Sequence, residues 1–188
     1  MKNFFIYSLI AFLVCCNSVS YHQMAVETPH KIIAIEDSLN SLGLTKKNQD
    51  ALAIAHKKVA MTHLMEKNYI DAKAHFLNVL KYSAPDSTVQ YNILMIDGHL
   101  LRQTGNKEKL CDAIEIYYKA QRLHPNNGEP YFFIGKAYQS LYSNEFDLIL
   151  ESYQKALQLE LSKPLTDEVK KEILSVLDRK KKLKDFWK

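Results

Sequence analysis

Histidines are the residues of this sequence whose number first suggests chemistry. The chain of 188 residues contains seven of them, and imidazole is a common metal ligand. His56 and His63 share a predicted helix face, but they stand seven residues apart, whereas two helical ligands of one metal usually stand about four apart. We therefore expect both side chains to pack in the protein, in place of aromatic residues, and no metal to be bound.

Motifs that carry common enzyme chemistry are missing from the sequence. It contains no P-loop, no GxGxxG fingerprint, no HExxH zinc motif and no GxSxG nucleophile elbow, so the usual phosphate, dinucleotide, metalloprotease and hydrolase signatures fail. Cys111 is a lone thiol beside a predicted inter-helix turn, a setting that favours packing over reactivity. We expect a protein that is not an enzyme and needs no cofactor. An enzymatic or metal-handling envelope protein is the remote alternative.

Two adjacent cysteines, Cys15 and Cys16, follow a segment typical of an exported protein. Lys2 gives a positive start, and the apolar run of residues 4–14 is shorter than the roughly 18 residues of a permanent membrane span. Residues 13–16, Leu-Val-Cys-Cys, resemble a bacterial lipobox, although Cys15 stands where Gly, Ala or Ser is usual. The resemblance implies that Cys16 carries a lipid, with Cys15 as the second choice.

Two processing routes are open for this segment. Lipid attachment would make residues 1–16 a lipoprotein-type signal peptide and hold the protein at a membrane of the bacterial cell envelope, facing the periplasm or the exterior. Cleavage near Ser18 and Ser20 would instead release a soluble periplasmic or secreted protein. Either route separates the protein from nucleic acid. Residues 17–29 are polar without a periodic pattern, and we expect them to be an irregular tether.

The composition favours one globular domain that is mostly helical. Hydrophobic residues make up 47% and charged residues 24%, which excludes a disordered chain, and 5 Gly with 5 Pro are few for an all-β protein. The net charge of +4 is local, because residues 163–188 hold 9 basic and 5 acidic side chains while residues 1–162 hold 16 of each. This basic segment is either a solvated helix end or a contact for anionic lipid headgroups. At its end, Phe186 and Trp187 either pack on the fold or meet a membrane interface.

The body of the chain repeats one helix-face pattern three times. In each block a small or aliphatic residue, an aromatic residue and a small or medium residue stand at i, i+4 and i+7, the spacing of one helix face. The columns advance in register by 41 and then 36 residues. They are Ala72, Ala113 and Ile149; Phe76, Tyr117 and Tyr153; and Val79, Ala120 and Ala156. Upstream of the second and third blocks, Gly98 and Gly135 leave room for a close partner helix. A proline closes every block: Pro85, Pro125 and Pro164.

The most specific pattern lies in residues 105–138. It contains Gly-Asn at 105–106, Asp-Ala-Ile-Glu-Ile-Tyr-Tyr-Lys-Ala at 112–120, His-Pro-Asn-Asn at 124–127, and then Tyr131, Ile134, Gly135 and Tyr138. This pattern resembles the tetratricopeptide repeat, a helix-turn-helix unit of about 34 residues. The resemblance implies an all-α fold, a right-handed solenoid of three repeats at about 45–84, 87–125 and 128–160 within an array of residues 45–162. The three extra residues of the second repeat, 107–109, are expected in its inter-helix turn.

Helices are expected on both sides of the array. Residues 30–44 predict a flanking helix that Gly43 can end. One face of it carries Ile32, Ile35, Leu39 and Leu42. Residues 163–188 predict a basic capping helix that begins at Thr166 and covers the last repeat. Its apolar stripe consists of Val169, Ile173, Val176, Leu177 and Leu183.

The resemblance also implies which residues line a binding groove. In such arrays the first helix of each repeat faces a concave surface that binds a protein or peptide segment. The implied groove residues are Lys57, Met61, Leu64, Met65, Asn92, Met95, His99, Arg102, Gln103, Phe132, Lys136 and Gln139. They are apolar at the first repeat and polar or basic after it, which suits a peptide with an apolar end and an acidic end. Alternatively, Met61, Leu64 and Met65 pack against the flanking helix.

Taken with the envelope signal, these features predict a non-catalytic protein–protein interaction module. The expected protein is a lipoprotein that scaffolds a protein complex through its groove and is held at the membrane by its lipid. The alternative is a periplasmic or secreted repeat protein that binds one peptide or helix.

Overall fold

Helices dominate the computed structural model, which describes residues 20–187. They are α1 (Tyr21–Glu27), α2 (Pro29–Ile33), α3 (Glu36–Ser41), α4 (Lys46–Met65), α5 (Tyr69–Tyr82), α6 (Ser87–Gln103), α7 (Lys107–Leu123), α8 (Glu129–Leu141), α9 (Phe146–Leu157) and α10 (Lys163–Phe186). Within the described range the β-type pairing is confined to one isolated bridge between Asn127 and Glu160. The prediction of an all-α protein is confirmed for this part of the chain.

Six of these helices form three hairpins. The first hairpin is α4 with α5, the second α6 with α7, and the third α8 with α9, and their turns are residues 66–68, 104–106 and 142–145. Side-chain oxygens satisfy free amides at the start of α4, α6 and α7. The capping residues are Thr45, Asp86 and Asn106. The hairpins therefore begin and end close to the predicted blocks of residues 45–84, 87–125 and 128–160.

The repeated aromatic residue of each hairpin lies in its core. Phe76, Tyr117 and Tyr153 are fully buried. In the second and third hairpins the ring lies directly against a glycine of the first helix. A Cβ atom added to Gly98 would lie 2.3 Å from Cε1 of Tyr117, and one added to Gly135 would lie 2.5 Å from Cε1 of Tyr153. The close approach predicted for these glycines is confirmed.

Gly135→Ala is therefore expected to lower the free energy of unfolding by about 1–3 kcal/mol, because the new methyl group overpacks the ring of Tyr153. Helix propensity alone predicts the opposite sign, since Ala is favoured over Gly by roughly 1 kcal/mol inside a helix. Urea denaturation of the purified protein measures which effect is larger.

The double variant Gly135→Ala with Tyr153→Leu provides the control, because Leu removes the ring atoms that the methyl group would meet. In the Tyr153→Leu background, Gly135→Ala should lower the free energy of unfolding by less than it does in the wild-type background. A stabilising Gly135→Ala, or equal costs in both backgrounds, would contradict this packing.

Neighbouring hairpins pack through the second helix of one and the first helix of the next, α5 with α6 and α7 with α8, and side chains also link their first helices. From α6 to α8, Tyr91 donates a hydrogen bond to Glu129 (3.2 Å) and the ring of His99 meets Phe133 at 4.4 Å between centroids. From α8 to α10, Lys136 pairs with Glu172 at 2.9 Å. Helix α10 thus packs beside the third hairpin, where it buries Val169 and Val176 completely. The helix predicted for residues 163–188 is present, but Leu177 and Leu183 of its predicted apolar stripe are exposed.

The N-terminal segment differs from the predicted tether and flanking helix. Residues 21–27, assigned to an irregular tether of residues 17–29, form α1, which buries Ala25 against α4. The flanking helix of residues 30–44 is broken into α2 and α3. Its buried residues are Ile32 and Leu39. Leu42 is 83% exposed, because α3 ends at Ser41 and Gly43 turns the chain away with a φ of +86°.

Two other helix starts differ from the sequence predictions. Residues 107–109 lengthen α7 and do not lie in the turn, because Asn106 caps the helix just before them. Helix α10 begins at Lys163 and not at Thr166, since Pro164 occupies its first turn, where a missing amide hydrogen costs nothing. Between Ser20 and Trp187, no helix combines the length and the apolar character needed to span a bilayer.

Candidate functional site

The first helices of the hairpins carry the predicted groove residues, and three of these residues belong to the core. Met95, His99 and Phe132 are 3%, 5% and 1% exposed, which corrects their assignment to a ligand-facing surface. The rings of Tyr69 and Phe133 lie against His99, with centroids 4.9 and 4.4 Å away. Large aromatic residues therefore fill the space that a groove would leave open at this point.

Four further groove residues are already engaged within the protein. Lys57 pairs with Asp86 at 3.0 Å, and Lys136 pairs with Glu172 at 2.9 Å. Gln139 accepts a hydrogen bond of 2.7 Å from the hydroxyl of Tyr153. Leu64 packs against the core of the first hairpin. These side chains position neighbouring helices, so the two lysines are less available to an acidic ligand than the sequence suggested.

The remaining groove residues keep part of their side chains exposed. Met61 is 38% exposed and Met65 is 74% exposed, so the N-terminal helices do not cover them as the alternative interpretation required. Gln103 is exposed, and Asn92 and Arg102 are half-buried. We call the set of Met61, Met65, Arg102 and Gln103 the Arg102 face. It combines apolar side chains on α4 with a cation at the end of α6.

Arg102 is the electrostatic centre of this face. Its guanidinium carbon lies 5.5 Å from the centroid of the Phe133 ring, and its Nε is buried with no hydrogen-bond partner. No carboxylate in residues 20–187 forms an ion pair with it. Burial, reinforced by the charges of Arg102 and Lys67, lowers the pKa of His99 to about 4. His99 is therefore neutral at physiological pH, and Arg102 supplies the positive charge.

A second polar cluster joins α3 to the first hairpin. His56 is 1% exposed; its Nε2 lies 3.0 Å from Oε2 of Glu36 and its Nδ1 lies 2.8 Å from Nδ1 of His75. The ring of His63 stacks on His75 at 5.6 Å. Tyr82 donates a 2.5 Å hydrogen bond to Oε1 of Glu36. We call Glu36, His56, His63, His75 and Tyr82 the histidine cluster.

The contacts of the histidine cluster fix its protonation. Since Nε2 of His56 donates to the Glu36 carboxylate, its Nδ1 accepts, and the proton between the two rings belongs to His75. Burial lowers the pKa of His56, only partly offset by Glu36. Burial and the neighbouring histidines also lower the pKa of His75. Burial raises the pKa of Glu36, but hydrogen bonds from Tyr82 and His56 outweigh it and leave the pKa below its ordinary value.

The packing prediction for His56 is confirmed, and the cluster also contains residues that the sequence did not reveal. Glu36 and Tyr82 are more than forty positions apart, and no spacing rule links them. Within residues 20–187, no group of three or more His, Cys, Asp or Glu side chains is arranged to hold a metal ion. The cluster thus acts in the described structure as a buried polar joint between α3, α4 and α5.

A third polar site lies where the second and third hairpins meet α10. A cavity of about 610 Å³ has Asn127, Glu129 and Glu160 among its lining residues. The amide of Gly128 donates to Glu160 O at 2.9 Å, and the side chain of Asn127 donates to the Tyr91 hydroxyl at 2.9 Å. Burial raises the pKa of Glu129. These bonds connect the loops that surround the cavity.

The thiol of Cys111 is exposed, contrary to the packing predicted for it. It lies in the first turns of α7, and the core-facing position of that turn is taken by Leu110, which is 2% exposed. A comparison with known proteins finds no family model that matches the chain and no curated protein that is similar to it in sequence.

Proposed function

We propose that this chain is a non-catalytic protein-binding module built from three tetratricopeptide-type repeats, and that it scaffolds a protein complex in the bacterial cell envelope. The observation that carries the proposal is the Arg102 face. Arg102 on α6 has no carboxylate partner in the described residues, and Met61 and Met65 are exposed on α4. Lys57 and Lys136 are neutralised by acids of the protein itself, so Arg102 is the groove cation left for a ligand.

The expected partner is a protein segment that combines an acidic side chain with apolar ones. The carboxylate would form a charge-assisted pair with the Arg102 guanidinium, and the apolar side chains would cover the adaptable thioether side chains of Met61 and Met65. Recognition of this kind is typical of peptides and helices that bind in grooves. The repeat pattern of Phe76, Tyr117 and Tyr153, each buried in its hairpin, supports the assignment to a repeat architecture.

Photo-crosslinking from position 65 tests the binding surface. A photoreactive amino acid in place of Met65, which is 74% exposed on α4, should give a crosslinked partner in cells. The same residue in place of Leu77, which is 50% exposed on α5, is the matched control and should give none. Crosslinking from position 77 alone would argue that the partner binds the opposite side of the first hairpin.

The envelope location rests on the lipobox-like residues 13–16, which lie outside the described residues. Metabolic labelling with a palmitate analogue is expected to label the wild-type protein and not the Cys16→Ala variant, while Cys15→Ala keeps the label. Labelling lost only in Cys15→Ala would move the lipid to Cys15. An unlabelled wild-type protein would favour the secreted alternative.

The distance between the proposed lipid and the fold would be short. Helix α1 begins at Tyr21, so four residues separate it from Cys16, and these span at most about 18 Å between the two residues. The first hairpin would therefore be held close to the membrane surface.

A further inference from the structure

The C-terminal helix and the turn of the third hairpin line an open surface pocket that the proposed function does not use. It has a volume of about 350 Å³ and lies at the opposite end of the described chain from α1. Its lining residues are Ser143, Asn144, Phe146, Arg179, Lys182, Leu183 and Phe186. Two of these side chains are cationic, none is acidic, and three are apolar.

Arg179 gives this pocket donors that lack a partner. Its Nε and Nη2 are buried and have no hydrogen-bond partner among the described residues, and its guanidinium carbon lies 6.0 Å from the centroid of the Phe146 ring. A buried polar group without a partner is rare in folded proteins and calls for an explanation. A guanidinium fork presents paired N–H groups that match the oxygens of a phosphate group.

Two acidic side chains near the pocket are paired with lysines, one of which lines the pocket. Asp147, in the first turn of α9, pairs with Lys180 at 2.6 Å, and Asp178 pairs with Lys182 at 2.6 Å. The second pair is exposed on both sides, so it leaves Lys182 readily available to another anion. No ion pair that the structure gives for residues 20–187 includes Arg179. Arg179 is therefore the cation of this pocket for which the described residues give no carboxylate partner.

The start of α9 adds further donors to the same place. Helix α9 begins at Phe146, and no side chain caps it, so amides of its first turn lack partners within the helix. The hydroxyl of Ser143 and the amide of Asn144 belong to the turn just before it. Arginine, lysine, a hydroxyl group and a helix N-terminus together form a set of donors suited to phosphate.

Exposed aromatic residues border the pocket. Phe186 and Trp187 are each 78% exposed and pack edge-to-face on one another, with centroids 5.4 Å apart. They do not pack on the hairpins, as one interpretation of the sequence required. Tryptophan and basic residues side by side are typical of protein surfaces at the membrane–water interface.

We propose that this pocket binds the phosphate of an anionic phospholipid headgroup through Arg179 and Lys182, while Phe186 and Trp187 enter the interfacial layer of the bilayer. The basic residues of 163–188, 9 against 5 acidic ones, add a general attraction to the negative surface. The site is independent of the Arg102 face and of any lipid on Cys16.

Titration of the purified full chain with phospholipid vesicles tests this site, with Trp187 emission as the readout. Trp187 is the single tryptophan of the chain, so its emission reports on this end of the molecule even when the N-terminal segment also binds. Vesicles that contain phosphatidylglycerol should shift the emission to shorter wavelength, and pure phosphatidylcholine vesicles should not. Equal shifts with both vesicles, or no shift, would overturn the proposal.

Matched variants separate the pocket from general electrostatic attraction. Arg179→Ala should raise the lipid concentration at half-maximal shift by about tenfold, the loss expected for hydrogen bonds to a charged group. Lys171→Ala removes the same charge from an exposed position of α10 outside the pocket. This variant should raise the lipid concentration at half-maximal shift by no more than about fivefold. Equal effects of the two variants would overturn the pocket as the binding site.

Two further measurements test the pocket without relying on the Arg179→Ala variant. Asn144→Asp places a negative charge at the pocket and keeps Arg179, so it tests the site even if Arg179→Ala disturbs folding. The variant should weaken vesicle binding, and unchanged binding would contradict the proposal. Inorganic phosphate alone should leave Trp187 emission unchanged, because the aromatic pair needs a bilayer to enter. A full shift with free phosphate would make the ligand a soluble phosphate and overturn the lipid assignment.

Discussion

Acidification from about pH 7.5 to about pH 5 is expected to lower the free energy of unfolding by way of the histidine cluster. His56 and His75 have pKa values below the ordinary 6.5 in the folded protein, so the unfolded chain binds their protons first. The stability that they contribute is complete above about pH 6.5 and is lost as the pH falls below it. Glu36 keeps its charge in this range, because its pKa is lowered below 4.5.

The geometry explains why protonation disrupts the cluster. With both rings protonated, two N–H groups would face each other across the 2.8 Å between the Nδ1 atoms of His56 and His75. The surrounding titratable groups do not remove this conflict. From α2 to α5 they are His30, His63, Glu66, Asp71, Lys81 and Tyr82. Lys81 carries a further positive charge 3.7 Å from Glu36, and the neighbouring His63 helps to lower the pKa of His75.

Variants of His75 distinguish the effect of its protonation on stability from the effect of its hydrogen bond to His56. His75→Gln keeps an N–H donor for His56 without a titrating ring, and it should flatten the pH dependence of the free energy of unfolding. His75→Leu leaves Nδ1 of His56 without a donor and should cost about 1–3 kcal/mol at neutral pH. His22→Gln, at an exposed position of α1, is the control and should change neither quantity. Urea denaturation across the pH range measures both, and an unchanged slope in His75→Gln would contradict this explanation.

Tyr117→Ala is expected to lower the free energy of unfolding by about 3–5 kcal/mol, the cost of removing a fully buried aromatic ring. The ring is completely buried, and it fills the space in front of Gly98. Its hydroxyl also forms a 2.9 Å hydrogen bond with Nδ1 of His99. Tyr117→Phe keeps the ring, leaves His99 without this partner, and should cost about 1–3 kcal/mol.

The adjacent tyrosine is the matched control for this series. Tyr118 follows in the same helix and is 36% exposed, so Tyr118→Ala should cost less than about 1 kcal/mol. Chemical denaturation of the three variants gives the comparison. If Tyr118→Ala cost as much as Tyr117→Ala, the assignment of the repeated aromatic residue to the hairpin core would be wrong.

The features that were predictable from sequence are those with a helix period. A buried aromatic residue recurs at matching positions, namely Phe76, Tyr117 and Tyr153. In the second and third hairpins the ring packs against a glycine of the facing helix, Gly98 or Gly135, which leaves one way for the two helices to pack. Short segments without a period were predicted poorly. Residues 21–27 form a helix because packing of Ala25 against the first hairpin stabilises it, and tertiary contacts of this kind override weak local propensity.

The candidate site was predictable only in outline. The groove positions that the repeat resemblance implies are correct for Met65 and Gln103, which lie at the surface. They are wrong for Met95, His99 and Phe132, which are buried, because aromatic side chains from several helices fill this part of the face. Ion pairs such as that of Lys136 with Glu172 join the array to α10, and no repeat pattern relates those two segments. The Arg179 pocket likewise depends on where the end of α10 meets the turn of the third hairpin.

The central claim is that the Arg102 face binds an acidic protein segment, and crosslinking from position 65 in two arginine backgrounds tests it most directly. Arg102→Ala removes the cation of the face, whereas Arg122→Ala removes the same charge from an exposed position of α7. The crosslinked partner obtained from position 65 is predicted to disappear in Arg102→Ala and to persist in Arg122→Ala. Crosslinking that persists in Arg102→Ala, or that is lost equally in both backgrounds, would contradict the claim.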